Sequence, residues 1–279
     1  MDPALAHLLD DPSPAVRAAL LTYLSGQGAE SEKFLRELAR EGTGAVALAA
    51  AQYLKELHFS DPAEEFRVFI RSLNYELETG MLLLARTVAP NLDAGTCHAA
   101  LDALAARCRE LITEPSSTRD KCRIINRVIF HEWGFRGDVE HYTDPRNSFL
   151  DQVLVRRKGI PLSLTVVYLL VADRLGLILH PIALPGFFLV AGESDGVPFF
   201  IDPFEQGTLR SETEVINLLR ARQFFPQAGD LSPSPVREVL ARCCRNLVNH
   251  FRESGEADKA KLFAGFIEEF ELAYARNQI

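Results

Sequence analysis

Apolar residues recur at intervals of three and four along most of the chain, with polar residues on the opposite face, a spacing that predicts a predominantly helical protein. Two early stretches, "SPAVRAALLTYLS" (13–25) and "TGAVALAAAQYLK" (43–55), align at a spacing of 30 residues. Ala15/Ala45, Val16/Val46, Ala19/Ala49, Tyr23/Tyr53 and Leu24/Leu54 coincide. Each follows a shorter amphipathic stretch, "PALAHLL" and "SEKFLRELAR", so the unit is a helix pair. Helical spacing continues from "DPAEEFRVFIRSLNYELETGMLLLARTVAP" through "CHAALDALAARCRELI", with Asp61-Pro62 and Asp93 placed as helix starts. A further helix over about 117–133 carries Cys122, Asn126, His131 and Glu132 and ends at Gly134.

The pattern then breaks. "GFRGDVEHYTDPRNS" (134–148) is rich in Gly, Asp and Asn and has the composition of an ordered functional loop. "NSFLDQVLVRRKG" predicts a short helix capped by Asn147 or Ser148, with Gly159 suited to its C-terminal turn. In "GIPLSLTVVYLLVADRLG", Pro161 suits the first helical position, Gly176 lies just past the end, and apolar residues occupy nearly every side until Asp173. Such a helix must be buried centrally, against the segment that follows it. That segment, "LPGFFLVAGESDGVPFFIDPF" (184–204), reads as a β-hairpin whose register sets Phe187 and Asp202 on one face as diagonal neighbours. "SETE" (211–214) is a capping box opening a helix to about 222, and the tail predicts two antiparallel helices turning at Ser254-Gly255.

A chain of 279 residues with 47% hydrophobic residues can bury a real core. A formal charge of −8 argues against broad phosphate-backbone binding, so nucleic acid is not the expected partner, although "VRRKG" (155–159) offers a local basic patch. The five cysteines, Cys97, Cys108, Cys122, Cys243 and Cys244, form no CxxC pair and no Cys/His metal spacing. A reducing, cytoplasmic compartment fits that usage. No signal-peptide pattern opens the sequence and no run of eighteen apolar residues occurs in it, so no membrane partner is expected.

Candidate chemistry is sparse. "HEWGF" (131–135) begins like a zinc-protease helix, but position 135 is phenylalanine, so the second ligand is missing and neither a metal nor a cofactor is implied. Ser163, in the first turn of the buried helix, and Cys122 are the nucleophile candidates, with a helix-amide cap and an inert packing thiol as their plain alternatives.

The residues from "NRVIFHEWGFRG" through "YTDPRNSFLDQVLVRRKGIPLSLTVVYLLVADRLGL" to "LPGFFLV" and "IDPF" resemble the SirB-type branch of the transglutaminase-like superfamily, over roughly residues 65–210. "DDPSPAVRAALLTYL" resembles the second helix of a HEAT-type repeat, and the tail resembles a TPR-like hairpin. The resemblance implies an α+β, predominantly helical fold, with a papain/transglutaminase-like core, a small antiparallel sheet and flanking α-helical repeats. It divides the chain into HEAT-like repeats (1–60), a transglutaminase-like SirB-type domain (61–230) and a TPR-like hairpin (231–279). It also implies where a catalytic triad would stand. Pro161 occupies the position of the superfamily cysteine and Phe187 that of the histidine, while Asp202 retains the orienting acid.

Proline supplies no nucleophile and phenylalanine accepts no proton. The favoured expectation is therefore a non-catalytic protein- or peptide-binding module. Its cleft would draw on Tyr142, Asp144, Asn147, Ser148, Arg156, Arg157, Ser163 and Phe187, with Asp202 hydrogen-bonded to loop amides, solvated, or paired with Arg156 or Arg157. The alternative is a cysteine- or serine-dependent hydrolase or acyl transferase using Cys122 or Ser163 with His131, His141 or His180. A third reading places function on the helical flanks.

Overall fold

Two compact units divide the chain, residues 1–65 and 66–279. The computed structural model describes residues 3–41, 44–57, 61–227 and 229–276. Met1, Asp2 and Thr43 of the sequence pattern, and the expected boundary at residue 60, lie outside the described residues.

In the first unit a 3-10 turn (Pro3–Leu8) leads into helices α1 (Pro14–Gln27), α2 (Ala29–Glu41) and α3 (Gly44–Glu56). Leu20, Leu24, Leu35, Ala50 and Tyr53 are buried together, and Arg17 covers the Tyr53 ring at 5.2 Å while pairing with Glu56 at 2.5 Å. The residues that align at the 30-residue spacing do not all share an environment: Tyr53 is 1% exposed and Tyr23 47%.

Helix α4 (Pro62–Ser72) is followed by α5 (Leu77–Arg86), α6 (Ala94–Leu111) and α7 (Thr118–Asn126). Asp93 caps α6 by accepting the Gly95 amide at 2.9 Å. The single helix expected over 117–133 is corrected: after α7 the chain widens into a π-helical turn, Arg127–Glu132. Asn126 donates to the Gly207 carbonyl at 2.6 Å at the start of that turn, and Glu132 accepts from Arg107 (2.7 Å) and Arg127 (2.9 Å) at its end.

Strand β1 (Arg136–Gly137) and β2 (Lys158–Gly159) pair in parallel around helix α8 (Leu150–Arg156). The expected caps of α8 are also corrected. Phe149 takes the N-cap position without a side-chain bond, because the Asn147 side chain is engaged with the His141 carbonyl and Arg156, and the Ser148 hydroxyl has no partner. At the other end Arg157, not Gly159, adopts the left-handed conformation, with φ of 54°. Gly159 belongs to β2, where a Cβ would come within 2.5 Å of the Ser163 hydroxyl.

Helix α9 (Pro161–Arg174) is buried continuously from Leu162 to Ala172, which accounts for its all-round apolar character. It packs on an antiparallel sheet of order β3-β4-β5-β6, formed by β3 (His180–Leu184), β4 (Phe187–Ser194), β5 (Val197–Asp202) and β6 (Thr208–Arg210). Thr165 donates to the Phe188 carbonyl at 3.0 Å across this contact. The β4–β5 hairpin turns at Asp195 and Gly196, both at positive φ, as a two-residue turn matched to strand twist requires. The β3–β4 hairpin turns at Pro185-Gly186, where φ of 72° at the second residue suits glycine. Helix α10 (Glu212–Ala221), opened by the Ser211/Glu214 capping box, buries Val215 and Leu219 against Ile182, Leu184, Leu189 and Phe200. The tail forms α11 (Val236–Glu253) and α12 (Ala257–Arg276), joined at Ser254–Glu256, with Phe251 and Phe263 stacked at 5.5 Å.

Candidate functional site

The pairing of Val190 with Ile201 places Phe187 and Asp202 on one sheet face, two residues apart in register. Both line a cavity of about 320 Å³ that is also bounded by Tyr142, Pro161, Phe188, Phe204 and Arg222. Each reaches it from a different element: Tyr142 from the polar loop, Pro161 from the start of α9, Phe188 from β4, Phe204 from beyond β5, and Arg222 from beyond α10. Gly186, Glu205, Arg210 and Leu218 complete the lining. Aromatic side chains share the lining with two acids and two arginines. Among the described residues, the lining holds no thiol, imidazole, serine or threonine, and its one hydroxyl is that of Tyr142. Burial raises the Tyr142 phenol above its usual range, and the charges of Arg242 and Arg222 oppose that rise.

Asp202, 4% exposed, accepts the Glu205 amide at 3.2 Å and an Arg210 guanidinium nitrogen at 3.4 Å. The arginine expected beside it is thus corrected from Arg156 or Arg157 to Arg210, which the β5–β6 hairpin carries to the acid. Arg156 is committed elsewhere, donating to Asp138 at 3.1 Å and Asn147 at 3.0 Å, and Arg157 lies over the Trp133 ring at 5.1 Å.

Of the expected cleft residues, Tyr142 and Phe187 meet at the cavity with Pro161 and Asp202, whereas Asp144, Asn147, Ser148, Arg156, Arg157 and Ser163 do not line it. Most of those six hold the loop together. Asp144 accepts the Arg146 amide at 2.9 Å and pairs with the Arg146 guanidinium at 2.7 Å. Ser163 accepts the Ile160 amide at 3.0 Å and donates to the Asn147 carbonyl at 2.6 Å, which ties α9 to the loop. Behind them Asp138, 2% exposed, faces Arg156, Lys158 at 3.6 Å and His141 at 3.7 Å. Burial pushes its carboxyl toward a higher pKa, but Lys158, the His141 amide and Arg156 together outweigh burial and hold it below the usual carboxylate range.

Sequence reasoning missed Arg210, Arg222, Phe204 and Leu218. Arg210 was signalled by the short return from "IDPF" to a strand, since a hairpin brings its ends together. Arg222 and Leu218 carry no local signal, because the packing of α10 on the sheet decides where they point.

The model of the transglutaminase-like superfamily matches residues 95–245, more than half of the chain. The chain belongs to the transglutaminase-like superfamily. Among its relatives a UPF0162 protein of Xylella fastidiosa (strain 9a5c) is 34% identical over 185 residues, 64% of this chain and 66% of that protein. Protein SirB1 of Salmonella typhimurium is 26% identical over 192 residues, 67% of this chain and 71% of SirB1. F-box only protein 21 of Mus musculus is 31% identical over 139 residues, 47% of this chain and 22% of that protein. The chain spans just under two thirds of the length of the Xylella protein. No solved structure matches it. With these relatives it is a SirB-type member of the superfamily, and its helices and small antiparallel sheet are a predominantly helical α+β fold of that kind.

In this SirB-type protein all five cysteines are buried. Burial pushes Cys97 and Cys122 up to about 11 and Cys108 and Cys243 up to about 12, the opposite of what a nucleophilic thiolate needs. Neither Cys122 nor Ser163 meets an imidazole among the described residues, and His131, His141 and His180 are exposed. Among the described residues no group of three His, Cys, Asp or Glu side chains could hold a metal ion, and no helix is long and apolar enough to cross a membrane.

Proposed function

We propose that the cavity under Phe187 is a non-catalytic site that binds a protein or peptide segment in the cytoplasm. The observation that carries this reading is the lining itself. The positions that resemble the superfamily triad, Pro161, Phe187 and Asp202, border one cavity that aromatic side chains line and whose lining, among the described residues, holds no thiol and no imidazole. An apolar pocket with a few polar groups at its edge anchors a side chain well. Acyl transfer through a cysteine needs a thiolate and a base within reach of each other, and here every thiol is buried and, among the described residues, unpaired with histidine. The HEAT-like and TPR-like character of the flanking helices belongs to the same proposal.

Selection from a displayed random-peptide library tests the reading. Peptides enriched on the full chain should lose at least about thirtyfold in affinity on Phe187→Asp, about 2 kcal/mol for introducing a charge into an apolar anchor site. Turnover of amide or ester substrates that disappears on replacing Ser163 or Cys122 would overturn it in favour of a hydrolase.

A further inference from the structure

The mouth of this cavity holds an arginine that no carboxylate among the described residues pairs with. Arg222 holds its guanidinium carbon 3.8 Å from the centroid of the Phe187 ring and donates to the Gly186 carbonyl at 3.2 Å. Among the described residues it pairs with no carboxylate, although its side chain is exposed at the cavity mouth. Arg210 offers only one end to Asp202, and its Nε is buried without an acceptor. Arg242, from α11, reaches under the same hairpin turn, donating to the Leu184 carbonyl at 2.6 Å with its guanidinium 5.4 Å from the Phe188 ring. Two guanidinium groups, those of Arg222 and Arg242, therefore reach the turn at residues 184–188 without a carboxylate partner among the described residues, while Arg210, elsewhere in the lining, is answered by Asp202.

We propose that the cavity, taken as the peptide site described above, captures the free C-terminal residue of its partner. An apolar last side chain packs against Phe187, Phe188, Phe204 and Leu218, and the α-carboxylate pairs with Arg222. The spacing argues for the chain end over an internal acidic side chain. Because Arg222 lies directly on the Phe187 ring, the apolar contact and the carboxylate contact must be made by groups only a few ångströms apart. A C-terminal residue carries both on one Cα. An internal aspartate or glutamate would instead lay its polar carboxylate's short stem on the aromatic rings and leave the cavity underfilled. A volume of about 320 Å³ lies at the small end of ligand pockets, which suits a chain end better than a long run of residues. Glu205, exposed on the same rim, repels a second negative charge and so disfavours an acidic penultimate residue.

The test uses fluorescently labelled octapeptide pools, randomised except for a last residue of Phe, Leu or Asp, each as free acid and as C-terminal amide, titrated against the full chain. The free acids ending in Phe or Leu should bind roughly tenfold or more tightly than their amides, the range expected for a hydrogen bond between charged groups. Arg222→Gln should abolish that difference, Arg222→Lys should restore part of it, and added salt should shrink it. Arg222 is exposed, so unchanged unfolding midpoints in both variants will confirm that the fold is retained. Equal binding of acid and amide, both lost in Phe187→Asp, would overturn the carboxylate inference and leave the peptide reading standing. Binding of no peptide would overturn both. Free phenylalanine competing as well as the octapeptides would overturn the inference in favour of a small-molecule site.

Discussion

Two buried acids, Asp138 beside β2 and Asp202 at the end of β5, are treated differently. Asp138, in the polar loop, faces two cationic side chains, Arg156 and Lys158, with the His141 ring 3.7 Å away. Asp202, at the end of β5, has one long ion pair to Arg210 and one loop amide, and it borders an open cavity. The first arrangement is a brace: charge is matched and hydrogen bonds are shared around it, so it sets backbone positions. The second is thinly satisfied and leaves aromatic surface and guanidinium groups facing solvent. Polar composition therefore marks the rigid region here, and the aromatic hairpin marks the region with unfilled capacity to bind.

That contrast can be broken by substitution. Asp138→Ala should destabilise most, by about 3 kcal/mol in urea unfolding, because it leaves partly buried Lys158 without its acid and takes one of Arg156's partners away. Ser163→Ala should cost about 2 kcal/mol, since the Ile160 amide and the Asn147 carbonyl both lose a buried partner. Asp202→Asn should cost only about 1 kcal/mol, as the amide oxygen still accepts from Glu205 and the lost ion pair is long. A loss at Asp202 as large as that at Asp138 would erase the distinction between the two sites.

The pH profile separates them further. Asp138 is held below the usual carboxylate range, so its contribution is present above the unfolded value near 4 and is lost as pH falls through the folded value. His250, whose ring lies edge-on to Tyr142, is lowered by burial against the opposing pull of Glu253 and Asp144. The unfolded chain then takes up the proton first, so stability should begin to fall as pH drops below about 6.5. His250→Phe should flatten that upper limb and leave the lower one, and Asp138→Asn should do the reverse. The smallest effect is expected at Arg222→Gln, within about 0.5 kcal/mol of the parent in stability.

Much of the fold was legible because burial enforces pattern. The all-apolar "PLSLTVVYLLVA" could only be a central helix, and Ser-x-x-Glu at 211–214 opened α10 as a capping box. The two-residue turn at Asp195-Gly196 set the register that puts Phe187 and Asp202 on one face. What was not legible depends on contacts distant in sequence. The π-helical turn follows from Asn126 reaching Gly207 and from Arg107 reaching Glu132. The left-handed Arg157 is stabilised over Trp133, so no glycine was needed to end α8. At the site, "YTDPRNS" invited a functional reading because its residue types are those of ligands. The same types satisfy a loop's own backbone, and Asn147 and Asp144 are used that way.

The central claim is that ligands enter at the hairpin and not at the polar loop. Amide chemical-shift mapping of the full chain with a selected peptide tests it most directly. Perturbations concentrated at Gly186, Phe187, Phe204 and Arg222, with the amides of 138–141 and 144–148 unmoved, are the predicted result. Perturbations centred on that loop, or on α1–α3, with residues 186–188 silent, would contradict it.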